Sequence, residues 1–136
     1  MTPYTIETKK DINIILSAYK RNQTFNHHVR RRADINEAPV YSFLMYLSHI
    51  RTGDGQTKRP VRLDAAHKYI ERYLDSGSYI TDGEDIRVLR SFFNAMEESM
   101  MIEEPVNRKA QEILENYDPD RMNIGEDVSV GEINVG

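Results

Sequence analysis

The chain has 136 residues, 39% hydrophobic and 29% charged, with a formal net charge of −4 and no cysteine. Disulfides, thiolate chemistry and cysteine-held zinc or iron–sulfur sites are therefore excluded. There is no run of about 18 apolar residues and no basic-then-apolar leader at residues 1–5, so no membrane span is expected and cytoplasmic residence is the simplest expectation.

The length fits one domain. The first helix is predicted over 8–21. Thr8 and Asp11 have capping-box spacing, and Ile12, Ile15, Leu16 and Tyr19 recur at i, i+3, i+4 and i+7. The polar stretch 22–36 contains Arg30, Arg31 and Arg32 in succession and reads either as a loop or as a loop with a short helical turn. A second helix is predicted over 37–51, with Asn36 as its cap and Pro39 in its first turn. Val40, Tyr41, Phe43, Leu44, Met45, Tyr46, Leu47 and Ile50 make it apolar nearly all round, which marks a buried central helix or a dimer interface.

Residues 51–60, with two glycines and a proline, read as a loop. A third helix over about 62–75 carries Leu63, Ala66, Tyr69, Ile70, Tyr73 and Leu74 on one side and an Asp64–Lys68 pair on the other. Gly77 suits its C-cap, and Thr81 with Glu84 repeats the capping-box spacing. A fourth helix over about 82–101 carries Ile86, Leu89, Phe93, Met96 and Met100, with Phe92 widening the stripe. Met100, Met101 and Ile102 look like an exposed apolar end. A fifth helix over about 105–117 starts on Pro105 and buries Val106, Ala110, Ile113, Leu114 and Tyr117. Residues 118–136 read as a flexible acidic tail, with a small hairpin or an added strand on a partner's sheet as alternatives. The expected fold is an all-α compact bundle of about five helices over 1–117, with a buried central helix, followed by that tail.

Charge is unevenly divided along the chain. Residues 1–68 carry a net +6 and residues 69–136 a net −10. Such asymmetry points to a polyanion-binding region beside an acidic one. Within the basic set, which also includes Lys68 and Arg72, the candidate nucleic-acid contacts are Arg21, Arg30, Arg31, Arg32, Arg51, Lys58, Arg59 and Arg62. Their cationic groups would displace counterions from phosphates, and Phe25, His27 and His28 offer rings for base stacking. The competing explanation is a solvated surface whose charges pair with the acidic half.

Catalytic signatures are missing. There is no Gly-x-Ser-x-Gly elbow and no phosphate-cradling glycine loop. His49, Asp64, His67 and Glu71 offer nitrogen and oxygen ligands for a divalent metal, but without a His-Glu-x-x-His spacing. A helix-turn-helix built from helices three and four, with Arg87 and Arg90 toward DNA, would put acids where base contacts usually sit. The expected protein is a non-enzymatic small regulatory protein without cofactor or metal. It would bind DNA or RNA through its basic half and a protein partner through its acidic half. The alternative is a protein–protein interaction module (adaptor, inhibitor or assembly factor), with a homo-oligomer within reach of either reading.

Overall fold

Thr8 and Asp11 start the first helix by capping each other. The Thr8 amide donates to Asp11 Oδ2 at 2.9 Å and the Asp11 amide donates to Thr8 Oγ1 at 3.2 Å, satisfying amides that the helix start leaves without intrahelical partners. The computed structural model describes residues 4–26, 35–50, 60–76 and 84–117. In it this helix, α1, spans Lys9–Asn26 and buries Ile12, Ile15, Leu16 and Tyr19, as the spacing predicts. It continues past 21 through a segment with no apolar stripe. Polar bonds hold that extension: Asn22 Nδ2 donates to Glu98 Oε1 at 2.9 Å, and the Thr24 hydroxyl donates back to the Lys20 carbonyl at 2.9 Å.

Ahead of α1, β1 (Thr5–Ile6) pairs antiparallel with β2 (Val61–Arg62), Thr5 opposite Arg62 and Ile6 opposite Val61. Ile6 and Val61 are buried while Arg62 is exposed, the alternation expected of a strand. Two-residue strands carry too little alternation to be read from sequence, and none is predicted there.

Helix α2 spans Ala38–Ser48 and buries Val40, Phe43, Leu44 and Leu47. Asn36 does not cap it. Glu37 holds the cap position without a side-chain bond, and Asn36 Nδ2 donates to Glu84 Oε2 at 3.2 Å. The helix predicted over 62–75 is two elements, a 3-10 helix (Leu63–Tyr69) and a short α3 (Ile70–Asp75). β2 leads directly into the 3-10 turns, where the Leu63 amide donates to the Tyr4 carbonyl at 2.7 Å. Three residues per turn align i with i+3 and rotate i+4 away. Asp64 accordingly pairs with Arg62 at 2.7 Å in place of the expected Lys68.

Helix α4 (Glu84–Glu98) buries Val88, Leu89, Phe92, Phe93, Ala95 and Met96, and α5 (Glu104–Asn116) buries Ala110 and Leu114, with Tyr117 closing the core beyond its end. Pro105 lies in the first turn of α5, as predicted. Met101 and Ile102, expected at an exposed end, are buried between these helices, and only Met100 is exposed.

The core centres on Phe43 of α2. Its ring meets Tyr73 edge-on at 5.2 Å and Phe93 at 6.1 Å, while Phe92 reaches Tyr19 of α1 at 5.9 Å. Such aromatic pairs add roughly 0.5–1.5 kcal/mol beyond the area they bury. The central role expected of α2 is shared with α4, which packs on α1, α2 and α5; α5 in turn covers the 3-10 helix and α3. The described residues form an all-α bundle of five α-helices with a minor two-stranded pair at its edge. None of its helices is long and apolar enough to cross a membrane. The acidic tail over 118–136, the Gly77 cap and the capping partner Thr81 lie outside the described residues.

Candidate functional site

The 3-10 turns determine which cations share a surface. Antiparallel pairing turns Arg62 outward from β2. The threefold screw then carries Ala65 and Lys68 onto the same outer edge. Together with Thr5, Pro60 and Tyr69 these residues line an open recess of about 610 Å³. The Tyr69 ring is half-buried at one end, and the Arg72 guanidinium carbon lies 5.6 Å from its centroid, within range for a cation–π contact.

Arg72 also borders a second recess, of about 490 Å³, between α2 and α3. There it meets Met45, Tyr46, His49, Ile50 and Tyr73. Tyr73 is fixed by its hydroxyl, which donates to Ser42 Oγ at 2.9 Å, and by an edge contact with Tyr46 at 5.3 Å. The two recesses therefore adjoin at the Tyr69–Arg72 contact. Arg62 and Lys68 line the first recess and Arg72 the second, with the Tyr69–Arg72 contact between them.

Carboxylates temper that charge. Arg62 is paired with Asp64, and Glu71 and Asp75 are exposed on α3. The Arg62–Asp64 pair keeps 54% and 40% of its side-chain surface in water, so it contributes at most about 1 kcal/mol and yields readily to a stronger anion.

Of the eight cations singled out in the sequence, Arg21 and Arg62 are described, and they line different recesses. Arg21 is exposed on α1, lining with Lys10, Asn13, Ile14 and Ser17 a shallow recess of about 550 Å³. Arg30, Arg31, Arg32, Arg51, Lys58 and Arg59 lie outside the described residues. Lys68, in the wider basic set but not among the eight, lines the same recess as Arg62, and Arg72 adjoins it through Tyr69, which the sequence pattern places on the core stripe. An α-helical reading hides this grouping, because only a threefold period aligns 62, 65 and 68.

The remaining candidates are engaged elsewhere. Arg87 is exposed and pairs with Glu84 on its own helix, while Arg90 Nε donates across to Gln111 Oε1 of α5 at 3.0 Å. His67 is buried, and burial is the main cause that lowers its imidazolium pKa below the ordinary range. Among the described residues no group of three or more His, Asp or Glu side chains is placed to hold a metal ion. No protein-family model, curated protein or solved structure matches this chain.

Proposed function

We propose that this chain is a small non-enzymatic regulatory protein that binds nucleic acid through the surface built by Arg62, Lys68, Tyr69 and Arg72, leaving its acidic half for a protein partner. The observation that carries this reading is the joining of two recesses at the Tyr69–Arg72 contact, with Arg62 and Lys68 lining one and Arg72 the other. Cations spread along two adjoining recesses suit a phosphate backbone, and an aromatic ring held beside a guanidinium offers a stacking platform that tolerates any base. The six candidate cations outside the described residues enlarge the same electrostatic argument, since they hold much of the excess positive charge of the N-terminal half.

The test is fluorescence anisotropy with labelled single- and double-stranded DNA and RNA at two salt concentrations, about 50 and about 200 mM. Binding is expected at the lower salt and is expected to weaken steeply at the higher. Replacing Arg62, Lys68 and Arg72 together with alanine should flatten the log–log salt slope by about 2–3. Absence of binding to every probe at low salt overturns the reading, as does a triple variant that binds like the wild type.

A second reading, the protein-interaction module, is favoured by the outer stripe of α1, where Phe25 and Ile14 are 84% and 46% exposed. Eleven residues separate them, close to three helical turns, so they share a face. Affinity purification of wild type and an Ile14→Ser/Phe25→Ser variant after nuclease treatment tests it. A partner held by the wild type and lost from the variant supports this reading.

A further inference from the structure

We infer that the outer face of α1 docks an acidic amphipathic helix of a protein partner. The inference rests on the second reading above, that the chain is a protein-interaction module, and supplies the chemistry of the partner.

Helix α1 buries Ile12, Ile15, Leu16 and Tyr19 and turns its opposite side to water. On that side Lys10, Ile14, Ser17, Arg21 and Phe25 fall within about 80° of one another around the helix axis, and all five are exposed. They form a straight file in which one motif occurs twice. A cation is followed four residues on by a large apolar side chain, first as Lys10 and Ile14 and then, eleven residues later, as Arg21 and Phe25. Eleven residues make about three turns, or about 16 Å of axis, so the two pairs point the same way. Between them, Ser17 and Asn13 line a shallow recess with Lys10, Ile14 and Arg21.

The charge along this file has one sign. The carboxylate that α1 itself carries, Asp11, lies off the file and is engaged in the capping box with Thr8. Lys20 lies to one flank, where it pairs with Glu37 at 2.8 Å. A face of cations alternating with large apolar groups is complemented by carboxylates alternating with apolar groups. A helix supplies that alternation in a straight line, because acid–apolar pairs four residues apart recur on one face every eleven residues. The small side chain of Ser17 at the centre lets such a helix lie close. The charges select this partner, while Ile14 and Phe25 supply the apolar burial.

Other occupants fit less well. Phosphates would use Lys10 and Arg21 and leave Ile14 in water. A lipid surface favours a continuous apolar stripe with cations beside it, and here the cations interrupt the stripe. A second copy of the chain would set the same cations face to face, and like charges across an interface oppose association.

The probe is a fluorescein-labelled helical peptide of about 18 residues with two Glu–Leu pairs, four residues within a pair and three turns between pairs. It is made in both orders, Glu before Leu and Leu before Glu, for parallel and antiparallel docking. Anisotropy with the full-length chain is compared with that of peptides carrying Lys in place of Glu. One Glu–Leu peptide is expected to bind, and its Lys counterpart to bind at least about tenfold more weakly. Lys10→Glu/Arg21→Glu should invert that preference, a gain that misfolding does not produce, and Ile14→Ser/Phe25→Ser should remove binding of either peptide. Failure of both Glu–Leu peptides to bind, equal binding of the Glu and Lys forms, or a preference that survives the charge reversal overturns the inference. So does self-association in sedimentation, or binding of phosphatidylserine vesicles, that Ile14→Ser/Phe25→Ser abolishes in a chain that binds no peptide. In the affinity purification above, a partner lost from Ile14→Ser/Phe25→Ser but held by Lys10→Glu/Arg21→Glu overturns the acidic helix and keeps the interaction-module reading. A partner held by both variants overturns that reading as well.

Discussion

The Met101 amide donates to the Met96 carbonyl at 2.9 Å, and the turn it closes leaves Met100 in the left-handed region at φ 61°. With the Met100 amide donating to Glu97 at 2.9 Å, this is a Schellman ending to α4. Met101 follows it into the core, while Met100 is 74% exposed. The ending buries Met101 and Ile102 at the cost of holding a residue with a Cβ where glycine is preferred. Met100→Gly should therefore stabilise the protein by about 1 kcal/mol, since left-handed backbone costs an L-residue roughly 1–2 kcal/mol. Thermal unfolding should show a rise of a few degrees. Met100→Val should lower the midpoint, and a glycine variant that melts below the wild type contradicts the account.

At the other end of the chain, Thr8 and Asp11 cap α1 reciprocally. Thr8→Ala should cost about 1 kcal/mol in urea unfolding. The Thr8 backbone amide is the main cause that holds the Asp11 carboxyl below its ordinary pKa. This contribution is present above the ordinary carboxylate value and is lost as pH falls through the lowered folded value. Asp11→Asn should accordingly lose stability at neutral pH and show a shallower acid limb than the wild type.

These two ends show which parts of the fold were legible. The capping box at Thr8 is local, so its spacing alone located it. The stripes on α1 and α5 were legible because each buries a repeating face of a regular helix. The 3-10 segment was not. Leu63, Ala66, Ile70, Tyr73 and Leu74 fit an α-helical stripe well enough to mask the change of screw, and the cause lies in the nonlocal pairing of Val61 with Ile6. The grouping of Lys68 with Arg62 depends on that screw and was hidden with it. Asn22, reaching Glu98 across the bundle, is a polar contact between distant segments that no periodicity reports.

A further polar contact escaped the apolar pattern and carries a prediction of its own. Asn107 is buried in α5; its Nδ2 donates to Asn94 Oδ1 at 2.9 Å and to Glu97 Oε1 at 2.7 Å, and its Oδ1 accepts from Gln111 Nε2 at 3.0 Å. The side chain thus ties α4 to α5 where a larger apolar residue would clash with the close approach. Asn107→Ala removes all three bonds, at a cost of about 1–2 kcal/mol, because Asn94 and Glu97 reach water and Gln111 keeps its bond to the Arg90 carbonyl. A loss below about half a kcal/mol in chemical denaturation would mean that water replaces the network at no cost.

His67 is expected to contribute to the loss of stability just below neutral pH. It stands on the 3-10 helix with 8% of its surface exposed, and its Nδ1 has no hydrogen-bond partner among the described residues. Burial, reinforced by Lys109 and Lys68 and opposed by Asp64, keeps its pKa below the ordinary 6.5. The folded protein therefore holds His67 neutral at a pH where the unfolded chain has already taken up a proton. Its contribution is complete above pH 6.5 and is lost as pH falls through the folded value. Urea midpoints measured from about pH 8 down to about pH 5 should be level at first and then decline. His67→Leu keeps the packing, removes the titrating ring and should flatten that decline, leaving the loss at lower pH to carboxylates such as Asp11. Parallel profiles for wild type and His67→Leu across this range would show that the buried imidazole is not the group that responds.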